Sequence, residues 1–509
     1  MNQVKQKTYY KLKKFNSSCF QQHNILIFDL RRYMIGANSR LGIGLSKCEN
    51  LTDLTINLQN CQFKTNGTQK LCDGIQKCSK LTQLNIDLCR NSLRNDGAQI
   101  LGTGLKNVIN LTTLSIDLTH NQIGEQGIRN LGTELGQYQN LKRLTLILEQ
   151  NYAGDQGIYD FSLAISNNKN LEGLKLNLIK NNLGDKGVSG LAICLKNCVK
   201  LQDISLQLQY NQIGDKGFQD LASSLKESTN IQYLTLELYQ NKQICSNSIQ
   251  ILGQYLQNLS NIKGLLINLA WIYTAASGIE YLINGLSNCQ ALEQLQLILC
   301  RNQICFQNSS IINSVFENLK NLKKLTLQLS ENNLMVKGSY NLSQSLKNCL
   351  NLEYLQIGLE YNNIQDEGVN CLCQIFESCL NLKTVILQLQ NNQISDRGIS
   401  YLSSSFNNCK DLATLKIFLS SNILTSQGIV ILIQALQKCL NLKDLTLKFG
   451  FNNINNQELP QIGRELMKFQ KLLKLALWFR QSQFQLDQES ILIRRAKKSV
   501  RLISFNLCF

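Results

Sequence analysis

The sequence predicts an α/β fold in which short strands and helices alternate along one solenoid. Three observations support this prediction: a motif that returns about every 30 residues, an alternating apolar pattern in the first half of each unit, and a helical apolar pattern in the second half. A unit of this length cannot bury its apolar side chains by itself, so neighbouring units must stack.

The repeated motif is clearest where Leu81, Leu84, Ile86 and Leu88 precede Asn91. It occurs in 15 units, and every step between units is 30 residues except one of 31. Their first apolar residues are Leu51, Leu81, Leu111, Leu141, Leu171, Leu201, Ile231, Ile262, Leu292, Leu322, Leu352, Leu382, Leu412, Leu442 and Leu472. A degenerate unit precedes this series and another follows it.

The first half of each unit is predicted to be a strand. Leu84, Ile86 and Leu88 alternate with polar residues, which is typical of a strand with one buried face. The residues between them point to the opposite face, where a partner can bind.

The second half is predicted to be a helix. The turn before it holds glycines such as Gly184 and Gly187, for which we expect a left-handed or a crowded backbone, and Asp185 suits a helix N-cap or first turn. Apolar residues then follow at i, i+3, i+4 and i+7, as at Val188, Leu191, Ala192 and Leu195.

These units resemble leucine-rich repeats of the ribonuclease-inhibitor type. The resemblance implies a horseshoe with parallel strands on the concave face and helices on the convex face. The spacing from Leu81 to Asn91 is ten residues, where that family has eight, because of an extra pair such as Asp87 and Leu88. We therefore expect each strand to be about 6–7 Å longer than in the family.

We assign residues 1–22 to a basic N-terminal segment and residues 23–509 to a single solenoid of about 17 units. Degenerate caps are expected at residues 23–50 and 482–509. The basic N-terminus has no apolar segment behind it, so we expect no signal peptide. The longest uncharged stretch, between Lys263 and Glu280, has 16 residues and is shorter than the roughly 20 that a membrane span needs.

Two recurrent residue types are interpreted as structural. The asparagine represented by Asn91 recurs in 12 of the 15 units and is expected to satisfy backbone groups where the strand ends. The pair Cys371 and Cys373 is expected to lie at the surface and in the core of a helix. Eight cysteines share one register and are expected to be small buried packing residues with reduced thiols: Cys48, Cys78, Cys198, Cys289, Cys349, Cys379, Cys409 and Cys439.

Catalysis, cofactors and metals are not predicted. The chain lacks phosphate-binding, nucleophile-elbow, zinc-protease and kinase motifs, and it has only two histidines, His23 and His120. The net charge of +17 is concentrated at the ends: residues 1–50 carry +7 and residues 451–509 carry +6, which leaves +4 for the 400 residues between. Because the body of the chain is nearly neutral, extended nucleic acid is not expected to be its binding partner.

Two outward regions are candidates for partner binding. The first is an aromatic group on successive strands or their ends, which either anchors a protein partner or fills the gap of an irregular repeat: Tyr210, Tyr233, Tyr239, Trp271 and Tyr273. The second interleaves basic and aromatic residues, and either holds an acidic peptide or unpaired nucleotides or packs under a final helix at residues 485–499: Lys416, Phe418, Lys448, Phe451, Lys474, Trp478 and Arg480.

The sequence thus predicts a monomeric, cytoplasmic and non-enzymatic scaffold that binds another protein through the concave face, with the nucleus as a second possible compartment. One alternative is a GTPase-activating regulator of a small GTPase. Another is docking to an acidic surface through the two basic ends, for which the competing interpretation is solvated caps.

Overall fold

The computed structural model describes residues 6–18, 20–33, 36, 40–273, 276–305, 315–455, 459–479 and 504–508. The chain divides into two compact halves, Met1–Ile262 and Lys263–Phe509, which are described in turn.

The N-terminal half alternates strands and helices. Its strands are β1 Gln6–Tyr9, β2 Ile25–Asp29, β3 Asp53–Asn57, β4 Gln83–Asp87, β5 Thr113–Asp117, β6 Arg143–Ile147, β7 Gly173–Asn177, β8 Asp203–Gln207 and β9 Tyr233–Glu237. Its α-helices are α1 Leu12–Asn16, α2 Leu41–Leu45, α3 Lys64–Ile75, α4 Arg94–Leu105, α5 Glu125–Leu135, α6 Gly154–Ile165, α7 Asp185–Asn197, α8 Asp215–Ser223 and α9 Ser246–Leu256. Short 3-10 helices lie at Phe20–Gln22 and Ser224–Glu227.

The C-terminal half follows the same plan. Its strands are β10 Gly264–Asn268, β11 Gln294–Ile298, β12 Lys324–Gln328, β13 Tyr354–Gly358, β14 Thr384–Gln388, β15 Thr414–Phe418, β16 Asp444–Lys448, β17 Lys474–Trp478 and β18 Ser504–Cys508. Its α-helices include α10 Ala276–Asn284, α11 Met335–Leu346, α12 Gln365–Ser378, α13 Asp396–Ser405, α14 Ser426–Leu436 and α15 Leu459–Leu466. Short 3-10 helices lie at Gly285–Asn288 and Phe406–Asn408.

The strands of each half pair in parallel, and the repeat sets their register. Leu114 lies opposite Leu84 on one side and Leu144 on the other, and all three side chains are buried. Backbone pairing continues beyond the strand, since the Leu88 amide donates to the Asp117 carbonyl at 2.8 Å. The prediction that alternate residues point inward is confirmed. The extra residue pair of each unit takes part in the backbone hydrogen bonding between neighbouring strands.

The recurrent asparagine is structural, as predicted. The Oδ1 atom of Asn121 accepts hydrogen bonds from the Asn91 and Leu93 amides at 3.0 and 3.2 Å. Its Nδ2 donates to the Leu88 and Leu118 carbonyls, each at 2.9 Å. The side chain is fully buried. One amide therefore satisfies backbone groups of two successive units.

The backbone leaves each strand through residues in the left-handed region that are not glycine. Arg90 and Ser92 have φ values of 57° and 54°. Because Ser92 is left-handed, the amides of Asn91 and Leu93 on either side of it converge on Asn121 Oδ1. Among the described residues, none of the non-glycine residues with positive φ is Val, Ile or Thr, the types for which this conformation costs most.

The helices begin with a contact between units. Asp185 is the first residue of α7, and its Oδ1 accepts from the Gly214 amide, just before α8, at 2.8 Å. Asp155 accepts from the Gly184 and Gly187 amides in the same way, each at 2.8 Å. A Cβ atom on Gly187 would lie 2.8 Å from Asp155 Oδ1, so this glycine is needed for close approach rather than for left-handed backbone.

A second asparagine series, which the sequence analysis did not single out, joins units where the next strand begins. It occupies the position just before the first apolar residue of many units. The Nδ2 atom of Asn351 donates to the Lys320 carbonyl at 2.7 Å, and that of Asn381 donates to the Leu350 carbonyl at 3.0 Å. Each bond crosses from one unit to the preceding one.

The eight cysteines of one register are buried free thiols, which confirms their interpretation as packing residues. The Sγ atom of Cys379 donates to the Leu346 carbonyl of the preceding unit at 3.5 Å, and Cys409 does the same to Phe376. Burial raises the pKa of Cys379 and Cys409 to about 12. Cys371 and Cys373 lie on α12 with only the second fully buried.

The N-terminal segment belongs to the folded half earlier than predicted. Strand β1 pairs in parallel with β2, so the sheet begins at Gln6 and not after residue 22. Tyr9 and Phe15 pack against each other with ring centroids 5.3 Å apart, and Phe15 lies 4.8 Å from Phe28. Tyr9 Oη is 3.3 Å from the buried His23 Nε2. These rings cover the first edge of the repeat core.

Among the helices of the described ranges, none combines the length and the hydropathy that a membrane-spanning helix needs. Within the same ranges, no three His, Cys, Asp or Glu side chains are grouped as metal ligands.

Candidate partner-binding surface

The outward strand face is the side of each sheet that points away from the buried leucines. In the C-terminal half we define it by the alternate residues of β11 to β17, most of which are half-buried between the side chains of neighbouring strands. Because the register is constant, equivalent residues of successive strands lie side by side, about 4.8 Å apart. Side-chain chemistry along this face can therefore be followed from strand to strand.

A hydrogen-bonded polar network crosses β12, β13 and β14. The Gln328 Nε2 atom donates to Gln388 Oε1 at 2.8 Å, although these residues are two strands apart. The strand between them has Gly358 at the facing position, and a Cβ atom there would occupy the place of the Gln328 amide. Gln388 Nε2 in turn donates to Glu360 Oε1 at 3.0 Å. Burial raises the pKa of Glu360. This network holds its side chains in fixed positions.

A shallow cavity of about 460 Å³ lies next to this network on the same face. Tyr354 forms part of its wall, and its Oη donates to Gln356 Oε1 at 2.8 Å. Burial raises the pKa of Tyr354. The lining residues are Gln294, Leu295, Gln296, Ile298, Lys324, Thr326, Gln328, Tyr354 and Gln356. The cavity offers amide, hydroxyl and ammonium groups around a partly apolar floor.

The sequence alone does not reveal this cavity. Strand alternation identifies the lining residues other than Leu295 as outward, but it does not give the depth of the surface. Listing the outward residues strand by strand shows the signal: the short Thr326 lies between the longer Lys324 and Gln328, and Gly358 leaves the neighbouring strand open.

The predicted basic and aromatic cluster is partly assembled by the register. Phe418, Lys448 and Trp478 lie opposite one another on β15, β16 and β17. The Lys448 Nζ atom is 4.5 Å from the centroid of the Phe418 ring and 5.1 Å from that of Trp478. The ammonium group is thus placed between two aromatic rings, which attract it electrostatically.

The other members of this cluster lie at different distances from the rings. Lys416 shares the outward face with Phe418, two residues earlier on β15. Lys474 begins β17, so about 13 Å of strand separates it from Trp478. Phe451 follows β16 and is 51% exposed. Arg480 and the predicted final helix lie outside the described residues.

In the N-terminal half, the structure assembles part of the predicted aromatic group. Tyr210 and Tyr239 meet edge to face with ring centroids 5.1 Å apart, and the Lys180 Nζ atom is 5.0 Å from the Tyr210 centroid. Tyr233 is exposed at the beginning of β9, about 13 Å of strand away from the end that Tyr239 follows. Tyr233 therefore does not belong to this aromatic pair.

In the C-terminal half, Trp271 and Tyr273 form the remaining aromatic pair. Their ring centroids are 6.4 Å apart in an edge-to-face arrangement. The Arg301 guanidinium carbon lies 3.6 Å from the Trp271 centroid, and Arg301 Nη2 is 2.6 Å from Glu331 Oε2. The guanidinium group is thus stacked and ion-paired at the same time, which fixes the orientation of Trp271.

Comparisons with known proteins agree with this architecture. A family model described as "Leucine Rich repeat" matches residues 174–192, 204–222, 348–373 and 385–403. No curated protein sequence matches the chain.

Many solved structures are similar to the chain, and two of them are described here. One is a leucine-rich-repeat protein of Leptospira interrogans, with 19% identity, a TM-score of 0.54, and coverage of 99% of this chain and 100% of that chain. The other is a TLR13–ssRNA13 complex, with 16% identity, a TM-score of 0.43, and coverage of 98% of this chain and 68% of that chain. The first likeness shows the fold, and neither bears on the ribonuclease-inhibitor type.

Proposed function

We propose that this leucine-rich-repeat protein is a non-catalytic module that binds another protein through the outward strand face of its C-terminal half. The observation that carries this proposal is the fixed position of large side chains on that face. Lys448 lies between Phe418 and Trp478, with its Nζ atom 4.5 Å and 5.1 Å from the two ring centroids. Aromatic and basic residues on a rigid surface are effective anchors, because little side-chain entropy is lost when the partner binds.

The chemistry of the face favours a partner with acidic and polar groups. Lys448 lies between the two rings and Lys416 is two residues from Phe418, while Lys474 lies at the far end of β17. Asp444, opposite Lys474, is the acidic residue among the outward positions of β15 to β17. The cavity on β11 to β13 adds amide groups that can pair with backbone or polar side chains of a protein surface. Tyr210 and Tyr239 are a second proposed contact, in the N-terminal half.

This proposal is tested by affinity purification of the intact chain from the cells that make it, in three forms. The wild type is compared with the double variant Phe418→Ala/Trp478→Ala and with a control, Tyr281→Ala/Tyr340→Ala, that removes two exposed rings on α10 and α11. Circular dichroism checks that all three are folded.

We expect a set of proteins that the wild type and the control retain equally. The strand variant should bind them at least about thirtyfold more weakly, which corresponds to the loss of a binding hot spot of about 2 kcal/mol or more. Equal retention by all three forms would contradict the proposed surface.

Activation of a small GTPase is the first alternative, and no residue of this chain is assigned to it. GTP hydrolysis by a panel of small GTPases measures it directly. No stimulation by the full chain would eliminate this alternative.

Docking to an acidic surface through the basic ends is the second alternative. Removing residues 1–22 would unfold the first unit, since Phe15 is buried against Phe28. Charge reversal at the exposed or half-exposed Lys11, Lys13 and Lys14 is the better test. Loss of binding to anionic vesicles or heparin in this variant would support docking.

We also place the protein in the cytoplasm, with the nucleus as the alternative. Free thiols throughout the described core are typical of a reducing compartment. Imaging of the tagged full-length chain tests the compartment.

A further inference from the structure

In one unit of the repeat, two positions that lie four residues apart both hold cysteine, whereas in the other units at most one of these two positions does. Cys198 belongs to the common register, three residues before Leu201. Cys194 stands four residues earlier, a position at which the other units have mostly Gly, Ala or Ser and never Cys. The following unit has Ser224 and Ser228 at the two equivalent positions. The thiol pair is therefore not required by the repeat.

The two sulfur atoms are close enough to react with each other. Their Sγ atoms are 4.0 Å apart, and the Cys198 amide still donates to the Cys194 carbonyl at 3.0 Å at the end of α7. Helical spacing of four residues places the Cα atoms about 6 Å apart, within the range of about 4.4–6.8 Å that a disulfide spans. Cβ atoms four residues apart on a helix are about 5–6 Å apart, whereas a disulfide needs about 3.5–4.5 Å, so the sulfurs reach bonding distance only when the last turn of α7, which ends at Asn197, moves.

A cavity lies beside Cys198, although the exposed fraction of this residue is only 1%. It has a volume of about 500 Å³ and lies between α7, α8, the 3-10 helix after α8, and α9. Cys198 lines it, with Ala192 and Leu201 on one side and Ser228 and Tyr255 on another. Ser228 occupies the register position at which several other units have a larger Cys or Leu, which leaves this space open.

The environment of Cys198 also differs from that of the other cysteines in its register. The hydrogen bond with the Cys194 thiol lowers the pKa of Cys198 against the opposing effect of burial, and the Lys169 ammonium group also favours the thiolate. By contrast, burial raises the pKa of Cys78 and Cys289 to about 12. A thiolate is the reactive form in exchange with a disulfide.

We propose that Cys194 and Cys198 form an oxidisable dithiol that undergoes exchange with a small disulfide entering the cavity. The Cys198 thiolate, having released its proton, attacks one sulfur of the reagent and expels the first thiolate, which leaves a mixed disulfide on Cys198. Cys194 then loses its proton and attacks the Cys198 sulfur, forming the intramolecular bond and expelling the second thiolate. One disulfide is reduced to two thiols as the two protein thiols are oxidised to one disulfide.

The test treats the folded full chain with 2,2′-dithiodipyridine for short times, followed by acid quenching, alkylation and tryptic mass spectrometry. Trypsin cleaves after Lys196, so Cys194 falls in residues 187–196 and Cys198 in residues 197–200. A Cys194–Cys198 disulfide therefore appears as these two peptides cross-linked. We expect this product to form at least about tenfold faster than any modification of Cys409 or Cys439, which are buried thiols of the same register with raised pKa values.

Two variants separate the steps, and both copy the serine found in the next unit, so the fold is expected to persist. Cys194→Ser should stop the reaction at a stable pyridyl adduct on Cys198, and Cys198→Ser should leave Cys194 unmodified. The proposal is overturned if Cys194 and Cys198 in the folded wild type react as slowly as Cys409, or if Cys198 carries a lasting adduct although Cys194 is present.

Discussion

Replacing Asn121 by alanine tests whether the asparagine series joins successive units. The side chain makes four buried hydrogen bonds, two of them accepted from the Asn91 and Leu93 amides and two donated to the Leu88 and Leu118 carbonyls. Each such bond contributes about 0.5–1.5 kcal/mol, and each buried group left without a partner costs about 1–3 kcal/mol. With partial relaxation, we expect a loss of about 3–5 kcal/mol.

The loss is expected to be local to the junction between two units. Native-state hydrogen exchange followed by mass spectrometry should show faster exchange at the Asn91 and Leu93 amides, together with a lower urea midpoint. The matched control is Asn107→Ala, an exposed asparagine at the end of α4, which should change stability by no more than about 0.5 kcal/mol. Equal effects of the two substitutions, or unchanged exchange at residues 91 and 93, would refute the reasoning.

Three further predictions test the fold. Leu146→Asp should abolish cooperative folding of the N-terminal half because it buries an unpaired charge. Thr145→Asp, on the outward face, should leave the urea midpoint nearly unchanged. Similar midpoints for the two variants would contradict the assignment of alternate strand residues to the buried and outward faces. Burial lowers the pKa of His23, so the unfolded chain binds more protons in acid than the folded chain does. Stability should therefore fall as the pH drops below about 6.5. A His23→Gln variant whose urea midpoint depends on pH in the same way as that of the wild type would contradict this. Asp185→Ala should cost about 1 kcal/mol and increase hydrogen exchange at the Gly214 amide; unchanged exchange there would show that the contact between units is not formed.

The sequence was sufficient to predict the repeating strand and helix because the period is nearly constant and the apolar positions are filled almost without exception. The inward leucines, the buried asparagine and the packing cysteines follow from that pattern. The N-terminal strand was not predicted, since Gln6–Tyr9 has no alternating leucines and is defined only by its pairing with β2.

The details of the junctions between units could not be predicted for a different reason. Left-handed backbone is usually indicated by glycine, yet it occurs here at residues such as Arg90 and Tyr361, where hydrogen bonds to the next unit over-determine the conformation. Asp185 was expected at the start of a helix, but its acceptor role for the next unit depends on the stacking geometry.

The contacts of the candidate surface were predictable where side chains lie in register on neighbouring strands. The position and depth of its cavity were not. Phe418, Lys448 and Trp478 occupy the same place in successive units, so their contact follows from the period. The cavity beside Tyr354 depends on the lengths of side chains on neighbouring strands and on the absence of a side chain at Gly358. The alternation of inward and outward residues within one strand gives no information about either.

The most direct measurement of the proposed function is hydroxyl-radical footprinting of the full chain, alone and with a captured partner. Protection is expected at outward strand residues, above all Tyr354, Phe418 and Trp478, while exposed rings on the helices such as Tyr281 and Tyr340 remain equally modified. Protection of Tyr281 and Tyr340 with unchanged modification of Phe418 and Trp478 would show that the partner binds the helix side instead.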